Sequence, residues 1–152
     1  MKAGDQAPDF ALPDETGTTR KLSELLADGP LVLFFYPAAM TTGCTAESCH
    51  FRDLAAEFAE VGASRVGISP DQVDKQKQFS DKHSFDFPLL SDPDGAVAKQ
   101  FGVRRSFGPM LTRRQTFVID TDRTVLEVIK SELRMGVHAD KALDALRARN
   151  KS

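Results

Sequence analysis

The chain has 152 residues, of which 41% are hydrophobic and 28% charged, as in an ordinary soluble globular protein. Its net charge of -2 argues against nucleic acid or an acidic membrane surface as a partner. The longest apolar run, 31–36, is too short to span a bilayer, and the N-terminal MKAGDQAPDF lacks the apolar core of a signal peptide. We therefore expect a cytoplasmic protein with one domain over 1–152.

Strand and helix patterns alternate along the first half of the chain. Residues 8–20 hold two short strand-like stretches around PDETG, which predicts an N-terminal hairpin. The run LVLFFY at 31–36 predicts a strand buried on both faces of a sheet. Apolar residues at helical spacing predict a helix over 43–61, ended by Gly62.

The second half continues the alternation and sets the fold class. It predicts, in order, a strand over 64–69, a helix over 72–83 capped by Asp71, a short helix over 94–101, a hairpin of 115–120 with 125–130, and a helix over 139–149. Together these elements predict an α/β fold of three layers with a mixed central sheet.

Cys44 and Cys49 are the only cysteines and lie just after the first buried strand. Open α/β sheets place ligands beyond the carboxyl ends of their strands, and the first turn of a helix favours negative charge. A thiol at position 44 should therefore be pushed toward thiolate and act as a nucleophile. Thr41 and Thr42 can cap the helix, and the Thr41 hydroxyl can bond to the sulfur.

The spacing of the two cysteines bears on whether they can form a disulfide. Five residues on a straight helix correspond to a rise of about 7.5 Å, beyond the usual separation of the α-carbons in a disulfide. If Cys44 and Cys49 pair, the first turns of the helix must unwind, which suits a reversible bond. Two isolated core thiols are an equally open interpretation, and a metal site with His50 is disfavoured by the spacing.

The segment FFYPAAMTTGCTAESC resembles the active-site segment of the peroxiredoxins, thiol-dependent peroxidases with a thioredoxin-like fold. Their Pro-x-x-x-Thr/Ser-x-x-Cys pattern is matched by Pro37, Thr41 and Cys44. Cys49 matches the second cysteine of the Q-type subfamily, also called bacterioferritin comigratory protein. AGDQAPDFALPDETG, GISPD, FPLLSDPDGAVAKQFGV and RQTFVIDTD resemble other family segments in the same order, so the resemblance covers about 3 to 130.

The resemblance implies roles for the matching residues. Cys44 would attack the peroxide, Cys49 would resolve the sulfenic acid as a transient disulfide, and Pro37 would shield the sulfur. Thr41 and Arg114, the arginine of an Arg-x-Ser/Thr-Phe pattern, would hold the peroxide. Glu47 is a possible supporting residue, although a solvated helix carboxylate is an equal alternative.

The resemblance also implies reaction partners. It predicts hydrogen peroxide and organic hydroperoxides as substrates, thioredoxin or a similar dithiol as reductant, no metal or other cofactor, and a monomer in antioxidant defence. A peroxide sensor, a general disulfide oxidoreductase and a purely structural domain are the alternatives.

The remaining polar candidates are given simpler roles. We expect Arg104, Arg105 and Arg113 to be solvated cations, and the three histidines, at positions 50, 83 and 138, to be surface or half-buried residues without function. Tyr36 and Met40 could line the peroxide entrance or simply pack.

Overall fold

The computed structural model describes residues 1–105, 111–132 and 134–151. In that part of the chain the elements are, in order, β1 (Ala11–Pro13), β2 (Thr19–Lys21), α1 (Leu22–Leu25), β3 (Leu31–Phe35), α2 (Thr42–Asp53), α3 (Ala55–Glu60), β4 (Ser64–Ser69), α4 (Val73–His83), β5 (Leu89–Ser91), α5 (Ala96–Gln100), β6 (Gln115–Ile119), β7 (Val125–Lys130) and α6 (Met135–Asn150).

A five-stranded mixed sheet lies at the centre, in the order β5-β4-β3-β6-β7. Strands β3, β4 and β5 are parallel, whereas β6 is antiparallel to both β3 and β7. The small sheet of β1 and β2 is the predicted N-terminal hairpin. The predicted α/β fold with a mixed sheet is therefore confirmed.

Alternate side chains of β3 enter two different apolar cores, one on each face of the sheet. Leu31, Leu33 and Phe35 pack in the core that includes residues of α1 and α5. Val32 and Phe34 pack in the core that includes residues of α2, α3, α4 and α6. All five residues of β3 are buried, which is why this strand is a continuous apolar run in the sequence.

Several element boundaries differ from the sequence predictions. The single helix predicted over 43–61 is two helices, since the backbone leaves helical geometry at Leu54, with φ -96° and ψ 21°. The short helix α1 was not predicted. Helix α6 begins at Met135, four residues before the predicted start, because Gly136 and Val137 weaken the helical signal there.

Asp71 is not a helix cap, so that prediction was wrong. The N-cap position of α4 belongs to Gln72, without a side-chain cap. The Asp71 carboxylate instead accepts hydrogen bonds from Ala39 N at 2.6 Å and Ser69 Oγ at 2.8 Å. It thus ties the loop after β3 to the end of β4.

None of the helices in the described ranges is long and apolar enough to cross a membrane.

Candidate active site

Cys44 lies in the first turn of α2, just beyond the carboxyl end of β3. Its side chain is fully buried. The loop from β3 to α2 includes Met40, which has a left-handed φ of 67° and is 38% exposed. Such a conformation is uncommon outside glycine and is found at turns and functional sites. The sulfur is thus inside the protein, close to the positive end of the α2 dipole.

Arg114 brings a positive charge to this sulfur from a distant part of the chain. The pairing of Phe35 with Gln115 brings the start of β6 beside the end of β3. Arg114, the residue before β6, donates from Nη2 to Cys44 Sγ at 3.1 Å. Gly43 makes room for this contact, because an added Cβ would lie 3.3 Å from Arg114 Nη2. Two residues 70 positions apart are thereby joined at one buried point.

Glu47 is the second partner of Arg114. It lies one helical turn after Cys44, is fully buried, and accepts from Arg114 Nη1 at 2.8 Å. Of the two alternatives from the sequence, the solvated carboxylate is excluded. Burial raises the pKa of Glu47 to about 8, although Arg114 works in the opposite direction.

Arg114 keeps its positive charge in this buried position. Burial alone would lower its pKa, but Glu47 and Cys44 outweigh that effect, and the pKa is raised. One guanidinium therefore serves a carboxyl group and a thiol at once, through two nitrogens of its planar fork.

Pro37 and Thr41 lie in the loop between β3 and α2. Pro37 is buried, and Thr41 is the N-cap residue of α2 but makes no side-chain cap. Its hydroxyl donates to Ala38 O at 2.8 Å, so the predicted side-chain capping is wrong. The hydroxyl oxygen keeps lone pairs for a further donor.

Cys49 lies on α2 with Cys44, and both thiols are free. This agrees with the expectation that an intact helix keeps them apart. Cys49 is half-buried, and burial raises the pKa of its thiol although Arg52 works against the shift. Its ground state is therefore the weakly nucleophilic thiol.

The predicted exposure of the histidines is confirmed for two of them. His50 and His83 are half-buried, and the His50 ring lies 2.9 Å from Asp140. His138 contradicts the prediction, because it is fully buried and lies 3.5 Å from Glu47 Oε2. Ala142 and Leu146, four and eight residues after it, are buried too. This helical spacing of apolar residues was the sequence signal that could have predicted the burial of His138.

The other side chains near the site have structural contacts. Arg113 is exposed as predicted, whereas Arg104 donates to Asp94 O and Arg105 to Glu132. Tyr36 is fully buried and donates to Gln76, so packing rather than the entrance explains it.

Comparisons with known proteins agree on one family. The family model described as AhpC/TSA matches residues 3–128. A putative peroxiredoxin of Mycobacterium tuberculosis is 66% identical over 150 residues, 97% of each chain, and peroxiredoxin Bcp of Bacillus subtilis is 37% identical over 97% of this chain and 96% of that one.

Solved structures extend the agreement to the fold. The crystal structure of peroxidoxin BcpB from Mycobacterium tuberculosis has a TM-score of 0.94 at 66% identity and covers 97% of both chains. Structures of bacterioferritin comigratory protein from Xanthomonas campestris, described for its alkyl peroxide reduction activity, have a TM-score of 0.82 at 33% identity and cover 92% of this chain and 91% of that chain.

Proposed function

Because this chain belongs to the AhpC/TSA family and is a peroxiredoxin, a thiol-dependent peroxidase, we propose that Cys44 is its peroxidatic nucleophile and Cys49 its resolving thiol. The observation that carries the proposal is the 3.1 Å contact from Arg114 Nη2 to Cys44 Sγ. A fixed cation at this distance can stabilise the negative charge that the attacking sulfur carries.

In the first step the Cys44 thiolate attacks the terminal oxygen of a hydroperoxide. A sulfur–oxygen bond forms as the oxygen–oxygen bond breaks, and the products are Cys44 sulfenic acid and, after uptake of one proton, water or an alcohol. Arg114 and the Thr41 hydroxyl oxygen, which can accept from the peroxide O–H, align the peroxide, and Arg114 stabilises the negative charge that spreads along the breaking bond. Pro37, which has no N–H to donate, shields the sulfur from water.

In the second step the start of α2 unwinds and Cys49 attacks the sulfenic sulfur. A Cys44–Cys49 disulfide forms and one water leaves, carrying the sulfenic oxygen. A dithiol donor then reduces the disulfide by exchange and is itself oxidised, so that both cysteines return to thiols. Support comes from the positions of both free thiols on one helix, five residues apart.

The substrates and partners follow from the same chemistry. A hydroperoxide and a thiol reductant are what the family requires. Likeness to the Xanthomonas campestris protein supports organic hydroperoxides beside hydrogen peroxide. For the reductant we propose thioredoxin or a similar dithiol, since a dithiol supplies both electrons and resolves its own mixed disulfide with the protein.

The oligomeric state, domain organisation and location are part of the proposal. A resolving cysteine in the same chain removes the need for a partner subunit, so we propose a monomer of 16.7 kDa, which light scattering would measure directly. One central sheet serves both cores, which supports a single domain over 1–152. A cytoplasmic location stays a prediction from the sequence.

Two cysteine variants test the assignment. Cys44→Ser should abolish peroxide consumption in an assay coupled to a dithiol reductant. Cys49→Ser should consume one equivalent and then stall, because its sulfenic acid has no intramolecular partner. Retained turnover in Cys44→Ser would overturn the role of Cys44, and undiminished coupled turnover in Cys49→Ser would overturn that of Cys49.

A further inference from the structure

A buried histidine lies next to Glu47, the carboxyl partner of Arg114 in the candidate site. His138 is fully buried on α6, and its Nε2 lies 2.8 Å from the Ser131 carbonyl oxygen. Its Nδ1 lies 2.8 Å from Thr116 Oγ1 and 3.5 Å from Glu47 Oε2. The proposed mechanism gives this residue no role, although it faces the partner of Arg114.

The contacts of His138 fix its tautomer. A backbone carbonyl only accepts hydrogen bonds, so Nε2 carries a proton. Burial, together with Arg114, lowers the pKa of the ring although Ser131 and Glu132 work against the shift, so the ring is neutral near pH 7. Nδ1 is then unprotonated, and it accepts from the Thr116 hydroxyl.

This unprotonated nitrogen faces an oxygen that lacks a donor. Glu47 Oε1 accepts from Arg114, whereas the buried Oε2 has no hydrogen-bond partner in the described structure. The single lone pair of Nδ1 is taken by Thr116, so this nitrogen offers Oε2 no proton and repels negative charge on it. A buried carboxylate oxygen without a donor is costly, and the neutral carboxylic acid is therefore favoured.

The other charged groups near Glu47 have opposite effects on its ionisation. Arg114 favours the carboxylate, whereas Glu132, two residues beyond the end of β7, disfavours it. Cys44 shares Arg114 with Glu47, so a thiolate and a carboxylate compete for one cation. One guanidinium carries a single positive charge, so it cannot fully compensate a thiolate and a carboxylate together.

We propose that His138 is a positioning residue of the peroxidase site, which keeps Glu47 protonated and thereby leaves the charge of Arg114 to the Cys44 thiolate. The inference rests on the proposed function of Cys44. His138 acts through Glu47 and Arg114 and touches neither the sulfur nor the peroxide. Raising the pH above about 8, where Glu47 ionises, should then slow the attack on peroxide.

A pH profile with a double-mutant cycle tests this. In a Cys49→Ser parent, Cys44 sulfenic acid formation is followed from pH 6 to 10 after mixing with hydrogen peroxide, and is mapped by peptide mass spectrometry. The same profile is taken with Glu47→Gln, His138→Asn and both substitutions. His50→Asn is the matched control, because His50 also lies between α2 and α6, on the exposed side.

The proposal expects a fall in the parent rate above about pH 8 that is absent with Glu47→Gln. His138→Asn, whose amide can donate to Glu47, should move the fall about one pH unit lower and reduce the rate about threefold at pH 7.5. The same substitution should have no such effect beside Glu47→Gln, and His50→Asn should leave the profile unchanged.

Three results would overturn the proposal. An equal loss from His138→Asn in both backgrounds would make His138 merely structural. A fall in rate that persists in Glu47→Gln would show that Glu47 does not cause the pH dependence. This comparison tests the proposal even if the His138 variant fails to fold. A parent whose Cys44 is not oxidised at all would instead refute the proposed function, and the inference with it.

Discussion

Arg114 is the residue on which the chemistry of the site depends. Its Nη1 donates to Glu47 and its Nη2 to Cys44, so the planar fork fixes two acceptors in one geometry. Its Nε is buried without a hydrogen-bond partner among the described residues, so this N–H is still able to donate a hydrogen bond. A lysine could carry the charge but could not hold both groups in one plane.

The substitution Arg114→Lys tests the value of that fork. We expect the rate constant of Cys44 oxidation to fall about 10- to 100-fold, the effect of losing one charge-assisted hydrogen bond of about 1.5–3 kcal/mol. Stopped-flow measurement with hydrogen peroxide gives the rate. Arg113→Lys is the matched control, since Arg113 is the exposed neighbour, and an equal loss in both variants would deny Arg114 its role.

At the scale of the helix, α2 is anchored mainly at its C-terminal end. Phe51 stacks on Phe34 with ring centroids 4.2 Å apart, and Arg52 donates to His83 O at 2.7 Å. The first two turns have exposed residues at Thr42 and Ala46 and are held inward by Cys44 and Glu47. Unwinding therefore has a natural start at the N-terminus, which is where the proposed disulfide requires it.

Weakening the helix between the cysteines should speed the second step. Ala46→Gly places glycine at an exposed helical position and costs the helix about 1 kcal/mol, so disulfide formation should accelerate about fivefold. The attack on peroxide should not change. Rapid-quench trapping followed by mass spectrometry separates the two steps.

Ala56→Gly provides the control for that variant. It makes the same change at an exposed position of α3, outside the segment between the cysteines. Equal acceleration by both glycines, or none from Ala46→Gly, would show that unwinding of α2 does not control the second step.

For the whole molecule, the pattern of apolar residues determined the fold more clearly than the site. The apolar run 31–36 predicted a doubly buried strand, and the side chains of Leu31–Phe35 do enter the cores on both faces of the sheet. The break between α2 and α3 at Leu54 was not predicted, because no proline or glycine lies there in the sequence. The start of α6 was missed because its helical signal begins weakly.

Long-range contacts explain what sequence analysis missed in the site. Cys44, Thr41 and Arg114 were identified by resemblance, but the burial of Glu47 depends on packing between α2, α6 and β6. His138 meets Glu47 from a helix about 90 residues farther along the chain. No local pattern in either segment indicates that meeting.

Burial of Glu47 should make the stability of the whole protein depend on pH. Because its pKa is raised from 4.5 to about 8, its contribution is fully present below pH 4.5 and is lost as pH rises through about 8. Glu47→Gln removes this titration. The free energy of unfolding of this variant, relative to the native chain, should therefore rise by a few kcal/mol between about pH 5 and pH 8.

Urea unfolding of the reduced protein across that pH range measures the difference. Glu60→Gln, at an exposed position at the end of α3, is the control and should show no such trend. A difference between Glu47→Gln and the native chain that stays constant with pH would mean that Glu47 titrates normally in the folded protein.

The most direct test of the two-cysteine mechanism is mass spectrometry of the reduced, full-length protein after one equivalent of hydrogen peroxide. We predict the loss of two hydrogens, mapped to a Cys44–Cys49 link and reversed by a dithiol. Oxygen that stays on Cys44 without a link, or two unchanged cysteines, would contradict it.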